Sequence, residues 1–462
     1  MKLNPFRKES LERYLGTDKH FVKTLGAFDL LTIGIGAVIG TGIFILPGTV
    51  AAKEAGPGVT LSFLIAALVC TLASMCYAEL SSSIPVAGSA YSYGNILYGE
   101  VIGWILGWAL ILEYMLSVAA VSAGWASYFN SLLHSFGLHI PHHFEGPFDP
   151  LNDTYLNLWA VISVLLIGIL LSRGMKASMK FNNAAVLIKI AIIFTFIGVG
   201  LFFIKPKNYQ PFTPYETTGV LRGATTVFFA FLGFDVVSSS AAEVKNPKKN
   251  MPIGIIGTLI VAALLYMGVS VVLTGMVNYK QLDVANPVAY ALKVVNQGWV
   301  ADLLSIGAIV GMSTMMLTMI YSSSRLIYSI GRDGLLPSFL GKIDKHGLPE
   351  NALWIVTIVI AIMGGLFSLK ELTSLVSIGT LLAFTFVSFG VILLRRRKDI
   401  PEGDFKVPFY PVIPILSGLA CIGMMCFLSV KTYIFASIWF LFGLFIYCVY
   451  GYEHSKISKR NN

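Results

Sequence analysis

Gly34-Ile-Gly-Ala-Val-Ile-Gly-Thr-Gly-Ile-Phe44, with Pro47 and Gly48 close behind, lies inside an apolar run that opens near residue 28. Glycines at 34, 36, 40 and 42 are poor material for a continuous helix, since each costs about 1 kcal/mol relative to alanine. Close packing of membrane helices also recruits small residues, but it favours a four-residue spacing. The tight Gly40-Thr41-Gly42 triplet instead points to a backbone that leaves helical geometry partway across. A second stretch, Phe228-Phe-Ala-Phe-Leu-Gly-Phe-Asp235, sets Gly233 in mid-run and an ionisable group just after it. An acid at such a depth is expensive, so Asp235 is either a functional group or a tie to a neighbouring helix.

Both stretches belong to a chain of 462 residues that is 56% hydrophobic and only 12% charged. No soluble domain hides so much apolar surface, so lipid is part of its solvent. Runs of about 20 apolar residues suffice to cross the hydrocarbon core as helices. Twelve such runs are read at 28–51, 58–83, 98–128, 155–172, 182–204, 218–241, 253–276, 299–328, 352–369, 373–394, 409–430 and 433–453. The fold class is therefore an all-α polytopic membrane protein. Charged residues crowd the first 27 positions without an apolar core, so no secretory leader is expected.

The net charge of +9 invites a nucleic-acid reading, but the basic residues fall in alternate connections. The side holding both termini carries 24 of the 33 Lys and Arg, the other side eight, and Lys189 alone lies within a span. That bias sets both termini on the cytoplasmic side of an inner or plasma membrane. Cys70, Cys76, Cys421, Cys426 and Cys448 all sit in apolar runs and read as small fillers. His134, His139, His142 and His143 share an outer loop at about 129–154 with Glu145 and Asp149, in a spacing that fits no standard zinc pattern. No metal or cofactor is expected.

The two interruptions fall in the first and sixth spans. Five spans apart, these segments cross the membrane in opposite senses, as in an inverted five-plus-five repeat whose discontinuous helices build a midplane site. Half-helix N-termini offer free N–H groups and positive dipole ends to an anion, and half-helix C-termini offer carbonyls to a cation. A zwitterionic α-amino acid carries both charges on one small frame.

Several motifs then become familiar. Gly40-Thr-Gly-Ile-Phe44, Tyr77-Ala-Glu-Leu80 through Pro85-Val-Ala-Gly-Ser-Ala-Tyr91, Phe228–Asp235 followed by Ala242-Glu-Val-Lys-Asn-Pro-Lys-Lys-Asn-Met-Pro252, and Ser324-Arg-Leu-Ile-Tyr328 with Gly331-Arg-Asp-Gly-Leu-Leu-Pro337 occur in order. Together they resemble the amino acid–polyamine–organocation superfamily, and within it a bacterial member of the cationic amino acid transporter family. The resemblance implies a leucine-transporter-like fold. After a tail at 1–27, residues 28–208 and 215–396 would form the two inverted repeats, 407–454 two further helices, and 455–462 a second tail. It implies that the substrate carboxylate meets amides around Thr41, Gly42 and Ile43. The ammonium would meet carbonyls of Val38, Phe229 and Leu232, with Ala230 beside them and Phe229 also capping the site; core packing is the other role open to Phe229.

Lys189, in Val186-Leu-Ile-Lys-Ile-Ala-Ile192, lies deep in the fifth span. A charged lysine near the bilayer centre costs about 2.5–3.5 kcal/mol or more, so it needs partners or must shed its proton. Similar transporters place a lysine here, and the resemblance implies that the Lys189 ammonium bonds carbonyls near Gly36–Val38 and releases them when neutral, as a proton switch; a permanent structural cation and snorkelling to the interface are the alternatives. Glu113, in Leu112-Glu-Tyr-Met115, either meets a substrate amine or pairs with another helix. Met312, Met315, Met316 and Met319 line one stretch of the eighth span. A bulky Met319 on the site wall argues for small neutral amino acids such as alanine over arginine.

The reading is a proton-coupled symporter of L-amino acids working by alternating access. An exchanger, a cationic amino acid carrier and a non-transporting sensor of the same fold remain open. Enzymatic chemistry is not expected, because every histidine lies in a tail or loop and no nucleophile sits beside a base. The partners expected are the amino acid, a proton and lipid, with no nucleic acid. The chain is read as a monomer, with a small accessory membrane subunit as the open alternative.

Overall fold

Backbone inside lipid must satisfy its own N–H and C=O groups, which leaves helices as the solution for apolar runs without period-two alternation. The computed structural model describes residues 7–17, 23, 25–173, 175–344 and 348–456, and among them it is helical with two isolated β-bridges and no strand. Lys2, Lys19, Lys345, Lys459 and Arg460, which entered the charge bias, lie outside the described residues, as do the side chains of Lys176 and Lys180.

In chain order the helices are α1 Leu11–Thr17, α2 Ala27–Val38, α3 Thr41–Phe44, α4 Leu46–Val50, α5 Val59–Ser83, α6 Ala90–Leu97, α7 Glu100–Ser135, α8 Leu158–Ser172 and α9 Met175–Leu201. They continue as α10 Glu216–Phe228, α11 Val236–Ser239, α12 Pro247–Met276, α13 Pro287–Val294, α14 Gly298–Arg332, α15 Glu350–Leu366, α16 Leu369–Leu394, α17 Val412–Met425 and α18 Val430–Ile446. Among the described residues, eight helical stretches are long and apolar enough to cross a membrane: Leu46–Ser83, Glu100–Ser135, Phe181–Leu201, Glu216–Ser239, Pro247–Met276, Gly298–Arg332, Leu369–Leu394 and Val430–His454. Four shorter apolar helices, α2, α8, α15 and α17, fall at the remaining expected runs.

Two boundaries differ from expectation for identifiable reasons. α7 runs to Ser135 rather than 128, because it is stopped by Gly137 at φ +74° and not by falling hydropathy. There Leu138 N–H donates to Leu133 O at 3.0 Å and Gly137 N–H to His134 O at 3.0 Å, the paired bonds of a Schellman cap. His134, expected in the outer loop, therefore sits in the last turn of α7. α12 opens at Pro247, six residues early, since a proline is tolerated in a first turn whose N–H groups have no partner anyway.

Close approach of α9 to α14 fixes the region that matters below. A Cβ on Gly307 would lie 1.9 Å from the Ile192 side chain, and one on Gly311 3.2 Å from the Lys189 Cβ. Two glycines one turn apart thus make the groove in which Lys189 lies. On the face bearing both described ends of the chain, Arg7 binds the buried Glu100 through two N–H···O bonds of 3.0 and 2.8 Å. Tyr447 and Ser455 hydroxyls donate to the same carboxylate.

Candidate substrate site between two interrupted helices

α2 ends at Val38 because Ile39 turns extended (φ −83°, ψ 94°); the chain passes through Gly40 and restarts as α3 at Thr41. On the opposite segment α10 ends at Phe228 and a 3-10 turn covers Phe229–Phe231. Leu232 is extended (φ −66°, ψ 145°), and Gly233 takes φ +107°, a conformation that L side chains rarely adopt. Both glycine-marked stretches are thus broken, and the breaks touch. A Cβ on Gly42 would meet the Ala230 Cβ at 2.6 Å, and one on Gly233 would meet Ala37 O at 2.9 Å.

Each break strands backbone groups. The amides of Thr41, Gly42 and Ile43 open α3 and have no carbonyl four residues back to bond. Thr41 Oγ1 beside them is buried without a hydrogen-bond partner. Among the described residues no side-chain acceptor serves this end, so its polarity favours an anion.

The carbonyl end of α2 is furnished differently. Lys189 is fully buried, and its Nζ donates to Ile39 O (2.8 Å), Ile35 O (3.2 Å), Gly36 O (3.3 Å) and, across the groove, Gly311 O (3.4 Å). The contact expected with Gly36 is present. Val38 O, in the same stretch, accepts instead from the hydroxyl of Tyr266 on α12 at 2.9 Å. The same hydroxyl lies 2.7 Å from Ala230 O. Thr314 on α14 adds a weak bond to Gly36 O at 3.5 Å.

Two methionines of α14 close the wall. Met315 sulfur comes within 2.3 Å of where a Gly40 Cβ would stand, and Met319 Cε within 3.0 Å of a Gly233 Cβ. Each break is covered by one of them. Phe229, only 2% exposed, lies in the 3-10 turn at the edge of the same region.

The two acids behave differently. Asp235 accepts from the Tyr114 hydroxyl at 2.6 Å, so the tie to a neighbouring helix is present. Glu113, the residue before that tyrosine, is fully buried; neither of its oxygens has a hydrogen-bond partner by geometry, although Thr380 and Asp235 stand beside it. Among the described residues it makes no ion pair, and no group of three or more His, Cys, Asp and Glu side chains is arranged to hold a metal. His134 and His142 instead share Glu145, at 3.1 and 3.3 Å. Tyr266 was not singled out from the sequence, because a lone tyrosine in an apolar run carries no signal of its own.

A multi-span helical membrane protein whose paired breaks present amides on one side and carbonyls on the other belongs to the class of solute permeases. The family described as "Amino acid permease" matches residues 25–455, and the chain belongs to that family, within the amino acid–polyamine–organocation superfamily. It is 47% identical to the methylthioribose transporter of Bacillus subtilis over 98% of this chain and 99% of that protein. It is 44% identical to the branched-chain amino acid permease BcaP of the same organism over 99% and 100%. The chloroplastic cationic amino acid transporter 9 of Arabidopsis thaliana is 40% identical over 82% of this chain and 68% of the plant protein. These relatives are transporters, not enzymes, and the bacterial ones imply the plasma membrane.

Proposed function

We propose that this chain is a secondary transporter that carries an L-amino acid together with a proton by alternating access. It has twelve spans, inverted repeats over 28–208 and 215–396, and cytoplasmic termini. The observation that carries this reading is the pairing of the two breaks: stranded amides at Thr41–Ile43 beside carbonyls at Val38 and Ala230 suit the two ends of a zwitterion. The carboxylate lies on the amides of Thr41, Gly42 and Ile43, and the ammonium on carbonyls of Val38, Phe229 and Leu232. Phe229 caps the site.

Lys189 supplies the coupling. Four carbonyls surround an ammonium with three N–H groups, and three of them belong to the turn that ends at the break. Loss of the proton weakens that grip and frees the break to move. Met319 against Gly233 narrows the wall and favours small neutral substrates such as alanine.

The test is uptake of radiolabelled alanine into proteoliposomes under an inward proton gradient, with and without sodium. Competition would include leucine, arginine and methylthioribose, because relatives are named for branched-chain and cationic amino acids and for that sugar. Sodium-independent accumulation that Lys189→Ala abolishes, with exchange of pre-loaded alanine retained, is the expected result. Undiminished gradient-driven accumulation in Lys189→Ala would remove the switch. Competition by methylthioribose and by no amino acid would overturn the substrate class.

A further inference from the structure

Tyr266 occupies a position that the helix breaks alone do not explain. Its side chain is fully buried, and its ring packs against Phe63 (centroids 5.5 Å apart) and Phe231 (5.0 Å). Those contacts aim the hydroxyl at one point between the two interrupted segments. Within hydrogen-bond reach of it lie Val38 O at 2.9 Å and Ala230 O at 2.7 Å, one carbonyl from each break.

The donors do not match the acceptors. A phenol has a single O–H, so it serves one of these carbonyls fully at a time, and the other is left short of a donor in a buried setting. Lys189 does not make up the difference, since its ammonium is committed to Ile35, Gly36, Ile39 and Gly311. A primary ammonium brings up to three N–H donors to the same place.

We infer that Tyr266 is a positioning residue for the substrate amine: its hydroxyl holds the carbonyls of Val38 and Ala230 at one spacing, and so sets Val38 O against the Phe229 and Leu232 carbonyls that meet the ammonium with it. This inference rests on the amino acid reading above. It assigns to α12 a part in substrate recognition that the motifs around the two breaks do not contain. Because the hydroxyl acts on the amine end only, its removal weakens binding without touching the carboxylate end at Thr41–Ile43 or the Lys189 contacts.

Tyr266→Phe keeps the ring and removes only the hydroxyl. KM for alanine uptake is measured in proteoliposomes beside Vmax and the melting temperature, with Arg7→Ala as a variant that unpairs the buried Glu100 and leaves the Tyr266 contacts in place. KM does not depend on how much protein is recovered, so poorly expressed variants still report. A buried carbonyl left unpaired predicts a rise of about tenfold in KM for Tyr266→Phe, with Vmax within about threefold. Arg7→Ala is expected to lower the melting temperature with KM within about twofold. Unchanged KM in Tyr266→Phe, or KM shifts that follow the melting temperature equally in both variants, overturns the positioning role alone. If the unmodified protein takes up no amino acid, the functional reading falls and this inference with it.

Discussion

Gly42→Ala is the most direct probe of the contact between the two breaks. The added Cβ would stand 2.6 Å from the Ala230 Cβ and 2.7 Å from its Cα. Carbons in contact sit at about 3.5–4.0 Å, so roughly 1 Å has to be found. The obstacle is backbone, not the free end of a side chain, and the Ala230 carbonyl is held by Tyr266. Either the 3-10 turn at Phe229–Phe231 shifts or the start of α3 does, and both shifts separate the amides from the carbonyls. Overpacking of this kind costs about 1–3 kcal/mol. Charged to the bound geometry, at about 1.4 kcal/mol per decade, that amounts to a loss of roughly 5- to 150-fold in affinity. The assay is KM for alanine in proteoliposomes beside the melting temperature, with Gly423→Ala, where nothing lies within 4 Å, as the control. KM should rise at least about fivefold in Gly42→Ala and stay within about twofold in the control. An unchanged KM and melting temperature in Gly42→Ala would refute direct packing of one break on the other.

Met319→Ser removes the thioether that covers Gly233 and should admit larger side chains, read as new competition by leucine or arginine; an identical competition profile would take Met319 out of the pocket wall. Glu113→Gln replaces a buried carboxyl that has no ion-pair partner among the described residues. If that carboxyl meets the substrate amine, KM should rise about tenfold with the melting temperature unlowered, whereas a structural carboxyl would move the melting temperature and leave KM alone. Arg7→Ala strands the fully buried Glu100 carboxylate, which is expected to cost about 3 kcal/mol, the lower end for a broken buried pair because the Tyr447 and Ser455 hydroxyls still donate to it. A drop in melting temperature that Glu100→Gln in the same chain partly restores would verify this, and no drop would show the pair to be idle.

The features legible in the sequence are those that break a local rule. Gly40-Thr41-Gly42 and Gly233 violate helix propensity, and both sit where the backbone departs from the helix. Lys189 and Asp235 violate the apolar pattern, and both are buried with polar partners. Residues that obey every local rule stayed silent. Tyr266 is an ordinary aromatic in an apolar helix, and only the distance to two carbonyls, 36 and 228 positions away in sequence, gives it a role. The end of α7 is not legible from hydropathy, which fades near 128, while the true stop, Gly137, acts through φ and not polarity. The same contrast explains how the carbonyl end of α2 is assembled. The break creates the stranded groups locally, but their donors come from α9 and α12, helices that nothing nearby in sequence links to it. Lys189 takes Ile35, Gly36 and Ile39, and Tyr266 takes Val38, so these four carbonyls are divided between an amine on α9 and a hydroxyl on α12. Under the proposed coupling, a proton leaving Lys189 would loosen the carbonyls of Ile35, Gly36 and Ile39 and leave the Tyr266 hydroxyl beside Val38 O.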